Sequence, residues 1–369
     1  MKYVDEFRDP AAASAIAGAI REAAGNSREF RLMEFCGGHT HAVSRYGIPD
    51  LLPPSVTLIH GPGCPVCVLP IGRIDQAIRL ALDPRVTLCT YGDALRVPAS
   101  GKDSLLKAKA RGADVRLVYS PLDAVRIAMA DPGREVVFMA IGFETTTPPT
   151  AVAVLQARAA GLTNFSVLCN HVLTPPAMRA ILANERSRID GILGPAHVST
   201  VIGSAPYERL VRELERPVVI SGFEPLDVMR AVWMLVRQLS EGRCEVENEF
   251  TRAVTPEGNV KAQGLVEEVF TLRPSFEWRG LGTLERSALR LRDGFAAFDA
   301  ECRFDAPHAS VPDHKACECA AVLRGEKRPE ECRIFGTGCT PENPIGACMV
   351  SSEGACAAHY TYGRFRSGR

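Results

Sequence analysis

Between residue 30 and about 240, short apolar runs alternate with stretches of helical period. The runs RLMEF, VTLIH, VTLCTYG, DVRLVYS, EVVFMAIGF, FSVLCNHV, DGILGPAHV and PVVISGF are apolar or β-branched without clean alternation, the pattern of strands buried on both faces. Between them lie IDQAIRLAL, DSLLKAKARG, LDAVRIAMA, AVAVLQARAAG and MRAILANERSR, which read as helices. Alternation of this kind predicts an α/β fold of parallel sheets covered by helices, and eight strands divide best into two α/β domains. The expected division is residues 1–120 and 121–238, with residues 239–369 as a third, Cys-rich unit.

EVVFMAIGFETTTPPTAVAVL and FSVLCNHVLTPPAMRAIL both read strand, loop, Thr-Pro-Pro, helix. Thr147 and Thr174 suit N-caps, and the prolines after them suit a first turn that needs no amide donor. Gly-Phe-Glu occurs twice, at 142–144 and 222–224, each time after a strand candidate. In open α/β sheets ligand chemistry gathers at the carboxyl ends of strands, and the unusual polar clusters of this chain fall at such ends.

Past residue 240 the pattern changes. NEFTRAVTPEGNVKAQGLVEEVFTLRP reads as irregular or antiparallel structure, and LERSALRLRDGFAAFDA as one amphipathic helix. The last 60 residues are rich in Cys, Gly and Pro and poor in period, so a metal cofactor is a natural organiser there.

With 43 basic and 43 acidic residues among 369, no electrostatic case exists for nucleic acid or an anionic membrane surface. No apolar run approaches the ~20 residues that cross a bilayer. The start, MKYVDEFRDP, has acids where a signal peptide has bases and then apolar residues. These features predict a cytoplasmic protein, in which thirteen cysteines indicate metal binding or thiol chemistry rather than disulfide scaffolding.

Six of the thirteen fall in the last 53 residues, as C317-x-C319-x12-C332-x6-C339-x8-C348-x7-C356. Thiolates on loops at irregular spacing suit an iron–sulfur cluster. Cys319, Cys332, Cys339 and Cys356 are the expected ligands, with Cys317 and Cys348 as alternates and a structural zinc site as the competing reading. Near the other end, Cys36 follows a strand candidate in MEFCGGHTHAV, with His39 and His41 close behind, and the paired glycines permit a sharp turn. Cys64 and Cys67 follow the next strand in GPGCPVC. Such a C-x-x-C is half a zinc site, a redox dithiol, or a pair of soft-metal ligands; flanking prolines fix the loop, as in redox motifs. Cys89 and Cys169 read as small buried hydrophobes. Glu144, in GFETT, reads as a group that orients a histidine or accepts a proton, or as a helix-terminal acid.

FCGGHTHA, GPGCPVC, TYGD with RVP, GFETT, and the tail TPENPIGACMVSSEGACAAHY together resemble the HypD family of hydrogenase maturation factors. The resemblance runs from about residue 30 to the C-terminus. It implies two α/β domains around a cleft plus a C-terminal domain holding a 4Fe–4S cluster. It implies a role in assembling the Fe(CN)2CO group of NiFe hydrogenases, with a small HypC-type chaperone that shares the iron and a HypE-type partner that delivers cyanide. Carried onto this chain, Cys36 becomes the thiolate that helps hold the iron, Cys64 and Cys67 the redox dithiol, and the tail cysteines the cluster ligands. Low-spin iron carrying CN and CO suits soft thiolate support. The reading is therefore an assembly scaffold with redox activity rather than a conventional turnover enzyme. A cluster-linked thiol–disulfide reductase is the rival, and it leaves Cys36 without a task. Neither a phosphate-binding G-x-x-x-x-G-K-[ST] nor a dinucleotide G-x-G-x-x-G occurs.

Overall fold

Each of the eight apolar runs forms a strand, and every strand among them lies in a parallel sheet. The computed structural model describes residues 5–26, 28–184 and 187–364. The strands are β1 (Phe30–Glu34), β2 (Val56–His60), β3 (Val86–Thr90), β4 (Asp114–Leu117), β5 (Glu135–Gly142), β6 (Phe165–His171), β7 (Gly191–Pro195) and β8 (Val218–Ser221). A ninth, β9 (Val246–Asn248), joins them.

The strands sort into two sheets in an order that residue number does not follow. One sheet runs β2-β1-β7-β8-β9 and the other β4-β3-β5-β6. The expected division at residue 120 is therefore corrected: β3 to β6 form one sheet, inserted between the two parts of the other. The end of the second unit at 238 and the start of a separate third one at 239 shift as well, because β9 pairs with β8. Periodicity identifies strands but carries no information on which sheet receives each one. The helices Ile71–Ala81 and Thr174–Leu182, on the two crossings between sheets, look like any other crossover helix.

Helices Pro10–Ala24 and Pro225–Ser240 pack together over the first sheet. Their apolar stripe is enclosed: Ile20, Val228, Val232 and Leu235 are fully buried, each worth about 1.5–3 kcal/mol of transfer free energy. Gly191 in β7 leaves the room they need, since a Cβ there would stand 3.2 Å from Leu235 and 3.4 Å from Leu32.

Three local expectations are overturned. Within 248–274, Val260–Val269 is a helix, started by Asn259, whose side chain accepts from the Ala262 N–H at 3.0 Å. The stretch 284–300 is not one helix. Arg286 takes a left-handed backbone (φ 49°) after β12 (Gly282–Glu285), itself paired with β11 (Ser275–Trp278). The chain then forms β13 (Leu289–Leu291), antiparallel to β10 (Phe270–Leu272), before the 3-10 turns Asp293–Phe298. Leu289 and Leu291 satisfy a period of two as well as a helical one, and the turn at Arg286 decides between them. Thr147 and Thr174 are the first residues of their helices rather than caps, with Pro in the first turn of each. The end of MRAILANERSR, residues 185–186, lies outside the described residues.

The Cys-rich tail builds no core of its own. Cys319, Leu323, Cys348, Met349 and Val350 share one apolar core with Val66, Ile74 and Leu88. Among the described residues no helix is long and apolar enough to cross a membrane.

Candidate functional site

β1 and β2 are parallel neighbours with Glu34 opposite His60, so the loops that leave them emerge side by side. Cys36 is the extended residue before helix Gly37–Tyr46. The Gly37 N–H donates to the Gly63 carbonyl at 3.1 Å, and a Cβ on Gly63 would lie 2.3 Å from the Cys36 nitrogen. Only glycine at 63 lets the two loops touch. One residue on, Cys64 begins the short helix Pro65–Val68, and its sulfur accepts from the Cys67 N–H at 3.3 Å. Cys64 and Cys67 are joined as a disulfide, with Cα atoms 5.2 Å apart.

Cys36 is buried, and burial, followed by the nearby Glu353 carboxylate, pushes its thiol far up. The free side chain is thus a protonated thiol at neutral pH, and binding a cation there releases a proton. His39 is fully buried, with Nε2 2.9 Å from the Ser221 carbonyl and 3.0 Å from that of Gly222. Two acceptors at Nε2 assign the proton to that atom, which leaves Nδ1 as a lone pair with no partner. Burial lowers the His39 pKa and keeps the ring neutral. The second Gly-Phe-Glu supplies its packing: Phe223 lies 4.9 Å from the His39 ring and stacks on His197 at 3.8 Å.

Glu144 stands elsewhere, after β5. Its side-chain partners are the Thr174 N–H at 2.8 Å and the Thr174 hydroxyl at 2.9 Å, so it serves the N-terminus of helix Thr174–Leu182. Burial raises its pKa to about 7.

In the tail, the thiols of Cys317, Cys348 and Cys356 stand near enough to that of Cys319 to shift its titration. The structure thus gathers two expected ligands, Cys319 and Cys356, with the two alternates, Cys317 and Cys348. Cys339 adjoins this group; its sulfur accepts from the Ile345 N–H at 3.3 Å. Burial raises the Cys339 thiol, and the nearby Cys317 and Cys332 raise it further. The hydrogen bond from Cys319 brings the Cys317 thiol down to about 7. Gly346 forms the floor: a Cβ there would be 2.5 Å from the sulfurs of both Cys317 and Cys319. Among the described residues no three His, Cys, Asp or Glu side chains stand in the arrangement of a bound single ion. A convergent, all-sulfur donor set over a glycine floor fits an iron–sulfur cluster in its chemistry.

The thiol centres are contiguous. Helix Pro65–Val68, bearing Cys67, packs on the turn Ala347–Met349, bearing Cys348. Helix Ala355–Ala358, bearing Cys356, packs on helix Gly37–Tyr46 behind Cys36.

The family described as HypD, hydrogenase formation hypA family, matches residues 11–363. The chain belongs to the HypD family of hydrogenase maturation factors. It is 63% identical to the hydrogenase maturation factor HypD of Cupriavidus necator, with 99% of this chain and 98% of that one aligned. It is 64% identical to the hydrogenase expression/formation protein HupD of Azotobacter chroococcum over the same shares of the two chains. To the hydrogenase maturation factor HypD of Escherichia coli it is 46% identical, with 98% of each chain covered.

Sequence reading of this HypD-family chain passed over Glu34, His60 and Glu353. Glu34 carried a signal, being an acid inside an apolar strand. Glu353 carried none: its carboxylate stands over Gly37, where a Cβ would come within 2.6 Å of Oε2, through a contact between distant segments.

Proposed function

We propose that this maturation factor is the scaffold on which an iron carrying CN and CO is assembled in the cytoplasm, together with a HypC-type chaperone and with cyanide brought by a HypE-type partner. The observation that carries this reading is the backbone contact between the Cys36 loop and the Cys64–Cys67 loop. It sets a soft metal-binding thiol beside a two-electron thiol pair. Cys36 supplies a thiolate to the incoming iron and releases its proton as it binds. The neutral His39 stands three residues on, in the first turn of the helix that Cys36 precedes.

The reduced Cys64–Cys67 pair carries two electrons and two protons. Cleaving the S–CN bond of a delivered thiocyanate consumes both: the dithiol becomes the disulfide, the donor sulfur leaves as a thiol, and cyanide leaves with the second proton. The tail thiols hold a 4Fe–4S cluster through Cys319 and Cys356 with two further members of the group; their convergence favours Cys317 and Cys348 over Cys332 and Cys339. When bound, the cluster supplies single electrons next to the dithiol.

The test is infrared spectroscopy on the complex with the chaperone. Wild-type protein should show CN and CO stretches, and Cys36→Ala should fold, keep its tail iron and lose those bands. Normal bands in Cys36→Ala would remove Cys36 from the iron site.

A further inference from the structure

Glu34 is 1% exposed at the end of β1, in a strand whose other residues are mostly apolar and enclosed. Burying a carboxylate is costly unless its oxygens are filled by donors. Three donors fill these. Oε2 accepts from the Cys36 N–H at 2.9 Å. Oε1 accepts from the Thr40 hydroxyl and from Nδ1 of His60, the latter at 2.9 Å. The backbone of the same residue continues the pattern, its carbonyl accepting from the Gly61 N–H at 2.9 Å. A Cβ on Gly61 would stand 2.6 Å from that oxygen.

These partners are not a random set. Cys36 and Thr40 begin the first loop and helix, whereas His60 and Gly61 begin the second loop, which leads into Cys64. One residue therefore bonds to both loops at their roots. No other side chain described above does so. Because Glu34 accepts at His60 Nδ1, that nitrogen carries a ring proton.

We infer that Glu34 is the positioning residue of the iron-holding thiol: its carboxylate fixes the Cys36 backbone and, through His60 and Gly61, the distance from Cys36 to the dithiol loop. Glu34 touches no sulfur; it acts by orienting the ligand's main chain, as outer-shell partners of metal ligands do. The inference rests on the iron-holding role proposed for Cys36.

The experiment uses the full chain in complex with its small chaperone, purified from cells in which the iron centre is made. Glu34→Ala, Glu34→Gln, Thr40→Val and Cys36→Ala are compared by iron content, CN and CO stretches, melting temperature, and the alkylation rate of Cys36 by iodoacetamide in the free chain. Glu34→Ala should lose about 10–100-fold in iron retention and alkylate Cys36 faster. Glu34→Gln keeps an oxygen for the Cys36 N–H, and His60 accepts from the new amide by changing tautomer, so it should regain most of the iron. Thr40→Val keeps its volume and loses one donor, so it should shift the bands and speed alkylation even if Glu34→Ala does not fold. Bands lost in Cys36→Ala but unchanged, with unchanged alkylation, in Thr40→Val and in folded Glu34→Ala would overturn this inference alone. Bands that persist in Cys36→Ala would instead overturn the assignment on which it rests.

Discussion

The N–H of Gly37 donates to the carbonyl of Gly63 at 3.1 Å, which joins the residue after one thiol to the residue before another. Two cysteines 28 positions apart in sequence thereby belong to one rigid corner.

Gly63→Ala should be the most damaging of the glycine-to-alanine changes at this corner. Its Cβ would lie within 2.3–2.6 Å of three Cys36 backbone atoms, none of which can rotate away. At Gly37 the obstruction is one residue, Glu353, whose Cβ at 2.5 Å is fixed to its backbone while its carboxylate can swing aside. Thermal melts should show Gly63→Ala destabilised by about 1–3 kcal/mol or more, and Gly37→Ala by less. Equal melting temperatures would show that the loops do not depend on this contact.

Glu144 and His171 should have opposing effects on acid stability. Burial raises Glu144 to about 7, so the folded state holds this proton more tightly than the unfolded chain, and stability falls as pH rises from about 4.5 to about 7. Burial lowers His171 to about 4, so the folded state resists protonation, and stability falls as pH drops from about 6.5 to about 4. Each is worth roughly 3 kcal/mol over its window, and the windows overlap. Glu144→Gln should therefore unmask a loss of stability on acidification, and His171→Gln a loss on alkalinisation. Denaturant midpoints at pH 4.5, 5.5 and 7 test both slopes.

Anaerobically purified protein should contain about four iron and four sulfide per chain. Cys319→Ser and Cys356→Ser should abolish them. Cys348→Ser should do the same and Cys332→Ser should not, because only the former joins the four-thiol group. The reverse result in iron and sulfide assays would assign the ligands to the Cys332 and Cys339 loop.

Glu301 bridges two arginines, the buried Arg73 on one oxygen and the half-buried Arg273 on the other. It fastens helix Ile71–Ala81 to the C-terminal segment. Glu301→Ala takes the carboxylate from both guanidinium groups, which keep Gln76 and the carbonyls of Leu289 and Cys169, so a loss of about 1–3 kcal/mol is expected in urea unfolding. Replacing Arg73 as well, with Met, should restore part of it.

The strands were legible because burial on both faces leaves a continuous apolar run, and each of the eight is where the pattern put it. Their assignment to sheets was not, since pairing between β1 and β7 spans some 160 residues and leaves no local mark. At the site, Cys36, Cys64 and Cys67 were legible as residue types that seldom stand beside Gly-Gly or Gly-Pro-Gly without chemical use. The choice among six tail cysteines depended on how loops without period fold against the rest, which spacing does not encode. The turn at Arg286 was hidden for a similar reason: only its backbone conformation distinguishes it from a helical residue.

The insertion of one sheet within the other also sets an order of events on the ribosome. The four strands of the inserted sheet are complete once His171 has emerged, whereas β1 waits for β7 before its second edge is paired. The tail that packs behind Cys36 emerges last of all. A nascent chain thus has all strands of its middle sheet in hand while its beginning is still open on one edge, although Phe270, Leu289 and Phe295, which complete the core of that sheet, come later.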